Sequence, residues 1–269
     1  MSTIRGIELK YQTIELNKQD DLATITLNRP DVHNAMNELL MKELTSCFRS
    51  CEKDPELRII ILTGMGKSFC AGADLNWMKS MVGYSKEENI HDSNLLLDLY
   101  DCIYNCSKPV IARVNGHAFG GGIGLFAACD IVISIPEAKF AFSEVKLGII
   151  PSVISTFVAR RMKVIADMRR YFITGERFTA SDAESLGLID HVTSADDLDT
   201  MVEKYTSLLQ SSGPQAIAEV KNLIEQYEEL PLNQYKKHTV EKIAELRISD
   251  EGQEGISSFL DKRKPSWSE

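Results

Sequence analysis

At 269 residues, 43% of them hydrophobic, the chain is long enough to bury one large core, or one core with a small appendage. Its formal net charge of −9 argues against general nucleic-acid binding, because a phosphate backbone would meet an averaged repulsive field. No apolar run approaches the roughly 18 residues a membrane span needs, and residues 1–5 lead into polar sequence without the apolar stretch of a signal peptide. A cytoplasmic protein with no membrane or nucleic-acid partner is expected.

Strand-like runs at 11–16, 23–27, 59–62, 110–114 and 131–135 alternate with amphipathic stretches at 37–51 and 89–105, the pattern of an α/β core. From about Asp197 the pattern is helical throughout. Leu198, Met201, Val202, Tyr205, Leu208 and Leu209 share a face, Gly213-Pro214 break it, and two further helical stretches follow. The expected organisation is an α/β part over 1–199 and a helical part over 200–269.

Cys47 and Cys51, and likewise Cys102 and Cys106, stand four apart on expected helices, while Cys70 and Cys129 have apolar surroundings. Without a CxxC pair these read as reduced, partly buried thiols. The histidines, His33, His91, His117, His191 and His238, show no metal spacing, so no metal site is expected.

The most informative stretch is Asn115-Gly116-His117-Ala118-Phe119-Gly120-Gly121-Gly122-Ile123-Gly124, which follows the run at 110–114 and precedes a helix-like 125–129. A strand that empties into glycines at a helix start leaves bare backbone N–H groups facing a cleft, the equipment of an oxyanion hole. A tight turn that needs glycine only for packing would look the same. A second loop, Ser68-Phe69-Cys70-Ala71-Gly72-Ala73-Asp74-Leu75, also follows a strand-like run and also delivers small residues to its end. Donors from two such loops can converge on one carbonyl oxygen.

With these loops, Leu27-Asn28-Arg29-Pro30, Asn34-Ala35-Met36, Phe142-Ser143-Glu144, Leu147-Gly148-Ile149-Ile150-Pro151, Thr174-Gly175, Ala183 and Gly187-Leu188-Ile189 make the chain resemble the crotonase, or enoyl-CoA hydratase/isomerase, superfamily. The ending, with Glu251-Gly252-Gln253-Glu254-Gly255 and residues 259–267, extends the resemblance to nearly the full length. It implies a spiral of ββα units followed by a helical module that forms trimers, often stacked into hexamers. It also implies an acyl-CoA thioester substrate and no cofactor beyond the coenzyme A of that substrate. By position, the N–H groups of Ala73 and Gly121 would bind the thioester oxygen and stabilise an enolate, with Glu144 moving the proton. Arg29, Ala35, Ala71, Asp74, Leu75, Gly120 and Gly124 would line the substrate and coenzyme A. Because coenzyme A is polyanionic, Arg29, Lys67, Lys79 and Lys262-Arg263-Lys264 are the candidate basic groups.

The family's usual hydratases carry two glutamates, and this chain has Gly124 at the first position and Glu144 at the second. Glu144 lies among apolar neighbours that would raise its pKa; the plainer alternative is a surface glutamate on a strand end. The segment from Ser143 to Ser155, Gly124 and the carboxy-terminal ending are most similar to the bacterial methylglutaconyl-CoA hydratases of leucine breakdown, whose substrate carries its own distal carboxylate. A hydratase is expected first. A Δ3,Δ2-enoyl-CoA isomerase using Glu144 alone and a catalytically silent CoA-ester binder stay open. A nucleotide-binding reading of Gly122-Ile123-Gly124-Leu125-Phe126-Ala127 ranks last, since the next strand begins at Ile131 and leaves too short a helix for a dinucleotide unit.

Overall fold

The computed structural model describes residues 10–268; the chain start read above for a leader lies outside them. An antiparallel hairpin of β1 (Ile14–Gln19) and β2 (Leu22–Leu27) leads through helix α1 (Glu38–Lys53) to β3 (Ile59–Gly64), after which the chain winds as a spiral. Each turn lays one strand in a large sheet and the next in a small one. β3 is followed by β4 (Ser68–Cys70); after α2 (Leu75–Met81) and α3 (Lys86–Tyr104) come β5 (Val110–Val114) and β6 (His117–Phe119); after α4 (Gly121–Ala127) come β7 (Ile131–Ser134) and β8 (Lys139–Ala141). Helices α5 (Ser152–Arg161) and α6 (Ile165–Thr174) precede β9 (Phe178–Thr179), α7 (Ala180–Leu186) and β10 (His191–Val192). Four helices close the described chain: α8 (Leu198–Gln210), α9 (Pro214–Glu229), α10 (Leu232–Ile248) and α11 (Asp250–Leu260).

The large sheet runs β1-β2-β3-β5-β7-β10 and the small one β4-β6-β8-β9, parallel except at β1/β2 and at β8/β9. The unbroken apolar run Ile59-Ile60-Ile61-Leu62 reflects burial on both faces of β3. Ile60 and Leu62 join the main core, whereas Ile59 and Ile61 meet Leu198 and Val202 of α8 on the opposite face. Helix α1 starts where the Asn37 side chain accepts the Leu40 N–H at 2.9 Å, and it buries the stripe Leu40, Met41, Leu44, Cys47, Phe48 and Cys51.

Several expectations shift. The helix expected from 125 begins at Gly121, because glycine can supply the first turn as well as the loop before it. Glu144 sits in a 3-10 turn, Ser143–Leu147, rather than on a strand end. Leu208 is exposed, since it falls at the edge of the stripe by which α8 packs. Three helices rather than two follow Pro214, because Ser249 caps a separate α11 by accepting the Gly252 N–H. Helix α8 begins at Leu198, and its apolar face covers the large sheet. All six thiols are free, and among the described residues no helix is long and apolar enough to cross a membrane.

Successive turns of the spiral touch backbone to backbone. A Cβ at Gly116, between β5 and β6, would lie 2.2 Å from the Lys67 carbonyl oxygen of the previous turn. Gly116→Ala should therefore lower stability by about 1–3 kcal/mol, the usual range for overpacking, read as a lower urea midpoint. Gly83→Ala, where a Cβ meets nothing within 4 Å, should leave that midpoint unchanged or raise it by up to about 1 kcal/mol.

Candidate active site

β4 and β6 are parallel neighbours, with Ser68 opposite His117 and Cys70 opposite Ala118, so the loops that leave them start side by side. The first loop turns at Gly72, whose φ of +89° suits glycine and whose Cβ, if present, would lie 2.7 Å from the Phe119 carbonyl oxygen. The Gly72 carbonyl accepts the Met36 N–H at 2.7 Å, and the Met36 carbonyl accepts the Asp74 N–H at 2.8 Å. A trans peptide points its C=O and N–H in opposite directions. The Ala73 N–H therefore faces away from Met36, at an exposed residue, and no acceptor among the described residues takes it.

The second loop repeats this device. The Gly120 N–H donates to the Ala141 carbonyl at 3.0 Å, and the Gly120 carbonyl accepts the Ile123 N–H at 2.9 Å. The Gly121 N–H, on the other side of that peptide, opens the first turn of α4 and has no intrahelical acceptor. The two loops pack closely: a Cβ at Gly122 would lie 2.3 Å from the Cys70 carbonyl oxygen. Met36 stands between them, its backbone bridged to Ala73 and its methyl 2.3 Å from where a Cβ on Gly121 would be.

Glu144 is half-buried beside this second loop, its Oε1 2.9 Å from where a Cβ on Gly120 would stand. Its other oxygen, Oε2, is buried and has no hydrogen-bond partner among the described residues. Burial pushes the carboxyl above the ordinary glutamate range, offset only in part by its own backbone N–H. The opposite condition holds at Gly124. A Cβ there would lie 2.6 Å from Tyr100 Cζ, 2.7 Å from Ile154 Cγ2 and 2.7 Å from the Tyr100 hydroxyl. The place of a second carboxylate is filled by α3 and α5, so Gly124 lines packed protein.

The remaining candidates divide by environment. Arg29 donates to Asp74 at 2.7 Å and also to the Ala35 carbonyl, while Asp74 caps α2 by accepting the Asn76 N–H at 2.7 Å and the Trp77 N–H at 3.3 Å. These contacts direct the Arg29 charge into bracing the first loop. Ala71 donates its N–H to the His33 carbonyl at 2.9 Å, Gly120 and Ala35 are buried, and Leu75 is exposed at the start of α2. Lys67 and Lys79 are exposed, and Arg263 of the terminal basic run holds Glu254 through two contacts of 2.7 Å. His117 accepts the Lys139 N–H at 3.0 Å, which occupies its Nδ1 within the small sheet. Tyr100 and Met36 are the residues that sequence reasoning missed. Leu96, Leu99, Tyr100 and Ile103 share the spacing of an ordinary apolar helix face, and nothing local marks one of them as reaching a glycine loop.

Residues 17–269 match the family model described as enoyl-CoA hydratase/isomerase. The chain belongs to that family, the crotonases. A crystal structure of an enoyl-CoA hydratase from Shewanella pealeana is 38% identical and superposes with a TM-score of 0.92, covering 96% of this chain and 97% of that one. A putative enoyl-CoA hydratase/isomerase (crotonase) from Legionella pneumophila is 41% identical at a TM-score of 0.88, over 95% and 98% of the two chains. A putative enoyl-CoA hydratase of Thermus thermophilus is 30% identical over 91% of this chain and 97% of its own. The protein thus has the crotonase fold and is an enzyme of this family, for which an acyl-CoA substrate is implied.

Asp74 gives the bracing a pH signature. Burial alone would raise its carboxyl, but the Arg29 guanidinium and the Asn76 and Trp77 N–H groups together hold it below the ordinary aspartate range. A depressed carboxyl contributes stability above its unfolded pKa and loses it as pH falls through the folded value. Asp74→Ala should cost about 3 kcal/mol at neutral pH, as a partner and a cap are lost together. The gap from the parent protein should shrink below about pH 4, measured by urea unfolding at both pH values.

Proposed function

We propose that this crotonase adds water across the double bond of a 2-enoyl-CoA thioester, with the Ala73 and Gly121 N–H groups receiving the thioester oxygen and Glu144 as the one acid–base carboxylate. The observation that carries this reading is the Glu144 carboxyl itself, half-buried beside Gly120 with Oε2 unpartnered. A carboxylate held in that state without a structural partner is suited to accept and return a proton. In the forward direction Glu144 takes a proton from water as the water oxygen bonds to C3. The π electrons move toward the thioester oxygen, where two backbone donors stabilise the enolate; losing one such donor typically costs on the order of 3 kcal/mol. Glu144 then returns the proton to C2, completing the addition.

A hydratase with one carboxylate has to orient its water by other means. Because Tyr100 and Ile154 fill the space beside Gly124, we read the substrate as supplying the second charge: an enoyl-CoA with a carboxylate at the far end of its acyl chain, such as 3-methylglutaconyl-CoA of leucine breakdown. The same closure also favours a second reading, a Δ3,Δ2-enoyl-CoA isomerase, which needs one group to carry a proton between carbons. The apolar side chains exposed on the last helices, Val240, Ile243, Ile248, Ile256 and Phe259 among them, support a homotrimer or a hexamer built of trimers through residues 200–269. A cytoplasmic setting goes with that reading, although one relative, in Dictyostelium discoideum, is a probable mitochondrial enoyl-CoA hydratase.

Incubation with enoyl-CoA esters in heavy-oxygen water, followed by mass spectrometry, distinguishes these activities. Label in the product identifies a hydratase, double-bond migration without label an isomerase, and absence of turnover a silent binder. Glu144→Gln should lower turnover about a hundredfold or more. Because burial raises the Glu144 carboxyl and water attack requires its ionised form, kcat/KM should fall with decreasing pH through a value above the ordinary glutamate range. That limb should be missing from the residual activity of the variant.

Substrate charge is tested separately. The enzyme should hydrate 3-methylglutaconyl-CoA at least about tenfold more efficiently in kcat/KM than crotonyl-CoA, a difference of roughly 1.4 kcal/mol in transition-state binding. Equal efficiencies, or a preference for crotonyl-CoA, would remove the distal carboxylate from the mechanism.

A further inference from the structure

Three consecutive glycines, Gly120 to Gly122, have little conformational rigidity of their own, yet an oxyanion hole works only if its donors are fixed in advance. The Gly120–Gly121 peptide is tied at its carbonyl by the Ile123 N–H. The next peptide is tied by a side chain from a different helix: the Tyr100 hydroxyl of α3 donates to the Gly121 carbonyl at 2.7 Å. Gly121 is thus held between two anchored peptide planes, with its free N–H fixed in direction by both.

Tyr100 is built to hold that position. The side chain is wholly buried, and its ring packs edge-on to Phe157 of α5 with centroids 5.5 Å apart. The same ring occupies the space next to Gly124 that any side chain there would enter, so the hydroxyl has little freedom to leave the glycine loop. Burial, with Cys70 and the Glu144 carboxylate as neighbours, pushes the phenol well above its ordinary range, which keeps it a hydrogen donor throughout the working pH range.

We propose that Tyr100 is a positioning residue: by holding the Gly121 carbonyl, its hydroxyl restrains rotation of the Gly121 backbone and so, together with the Ile123 N–H on the Gly120 carbonyl, keeps the Gly121 N–H presented to the substrate's thioester oxygen. This rests on the reading of the two loops as an oxyanion hole. It does not depend on whether the reaction is hydration or isomerisation.

The test uses the carbonyl stretch of [1-13C]butyryl-CoA, a saturated thioester that cannot be hydrated, by difference infrared spectroscopy on the intact protein. In the parent enzyme the band should move to lower frequency on binding, and in Tyr100→Phe the movement should be about half as large. With an enoyl-CoA substrate, Tyr100→Phe should lower kcat about tenfold, the scale of one hydrogen bond, while KM changes less than twofold. A merely structural role would lower the urea midpoint but leave the band of the folded variant where it is. An unchanged band with unchanged kcat overturns the proposal and leaves the oxyanion hole standing. A parent enzyme that shows no band movement overturns both. Should Tyr100→Phe fail to fold, 3-fluorotyrosine at position 100 keeps the ring and hydroxyl but is a stronger donor; a larger band movement supports the proposal and an unchanged one overturns it.

Discussion

Two peptide planes govern this site. Gly72–Ala73 and Gly120–Gly121 each have their carbonyl oxygen accepted by a backbone N–H, from Met36 in one case and Ile123 in the other. Because a trans peptide is rigid, tying one end aims the other, and the N–H groups of Ala73 and Gly121 are left pointing away from the protein's own acceptors. Preorganised donors of this kind need no rearrangement when charge develops on a substrate oxygen. Most of the surrounding structure serves to keep those two planes where they are.

The spiral does this by placing consecutive turns in contact. β4 and β6 are neighbours in the small sheet, so their loops emerge together, and glycines at 72 and 122 let one loop's backbone approach the other's. Behind them Met36 bridges to Ala73 and lies against Gly121. To one side, Arg29 and Asp74 fasten the first loop to the start of α2; to the other, the 3-10 turn brings Glu144 to Gly120. The low solvation that makes the Glu144 carboxyl a poorer anion than a surface glutamate also makes it a more basic proton acceptor.

Much of this was legible in the chain because it rests on short-range signals. Apolar runs placed β2, β3, β5 and β7 within a few residues, and the two glycine-bearing loops identified themselves by composition. Helix α4 begins four residues before its apolar pattern does, because tertiary packing carries glycine, a poor helix former, into the first helical turn. Arg29 illustrates a second limit. Its partner Asp74 is distant in sequence and lies within hydrogen-bonding range only after folding, so the pairing has no local signal. Tyr100 is unmarked in the sequence for the same reason, since its hydroxyl meets a carbonyl 21 residues away and its own helix shows only a regular apolar face.

The crowding at Gly124 constrains how this site can change. A carboxylate there would have to displace the Tyr100 ring, and the same ring carries the hydroxyl that holds Gly121. A one-carboxylate and a two-carboxylate version of this active site are therefore not joined by a single substitution. Gaining a side chain at 124 while Tyr100 is present meets a steric barrier, and removing Tyr100 first takes away the hydroxyl that holds the Gly121 carbonyl. On the proposed reading, the choice of acid–base groups and the geometry of the glycine loop are therefore coupled through one packed unit of α3, α4 and α5.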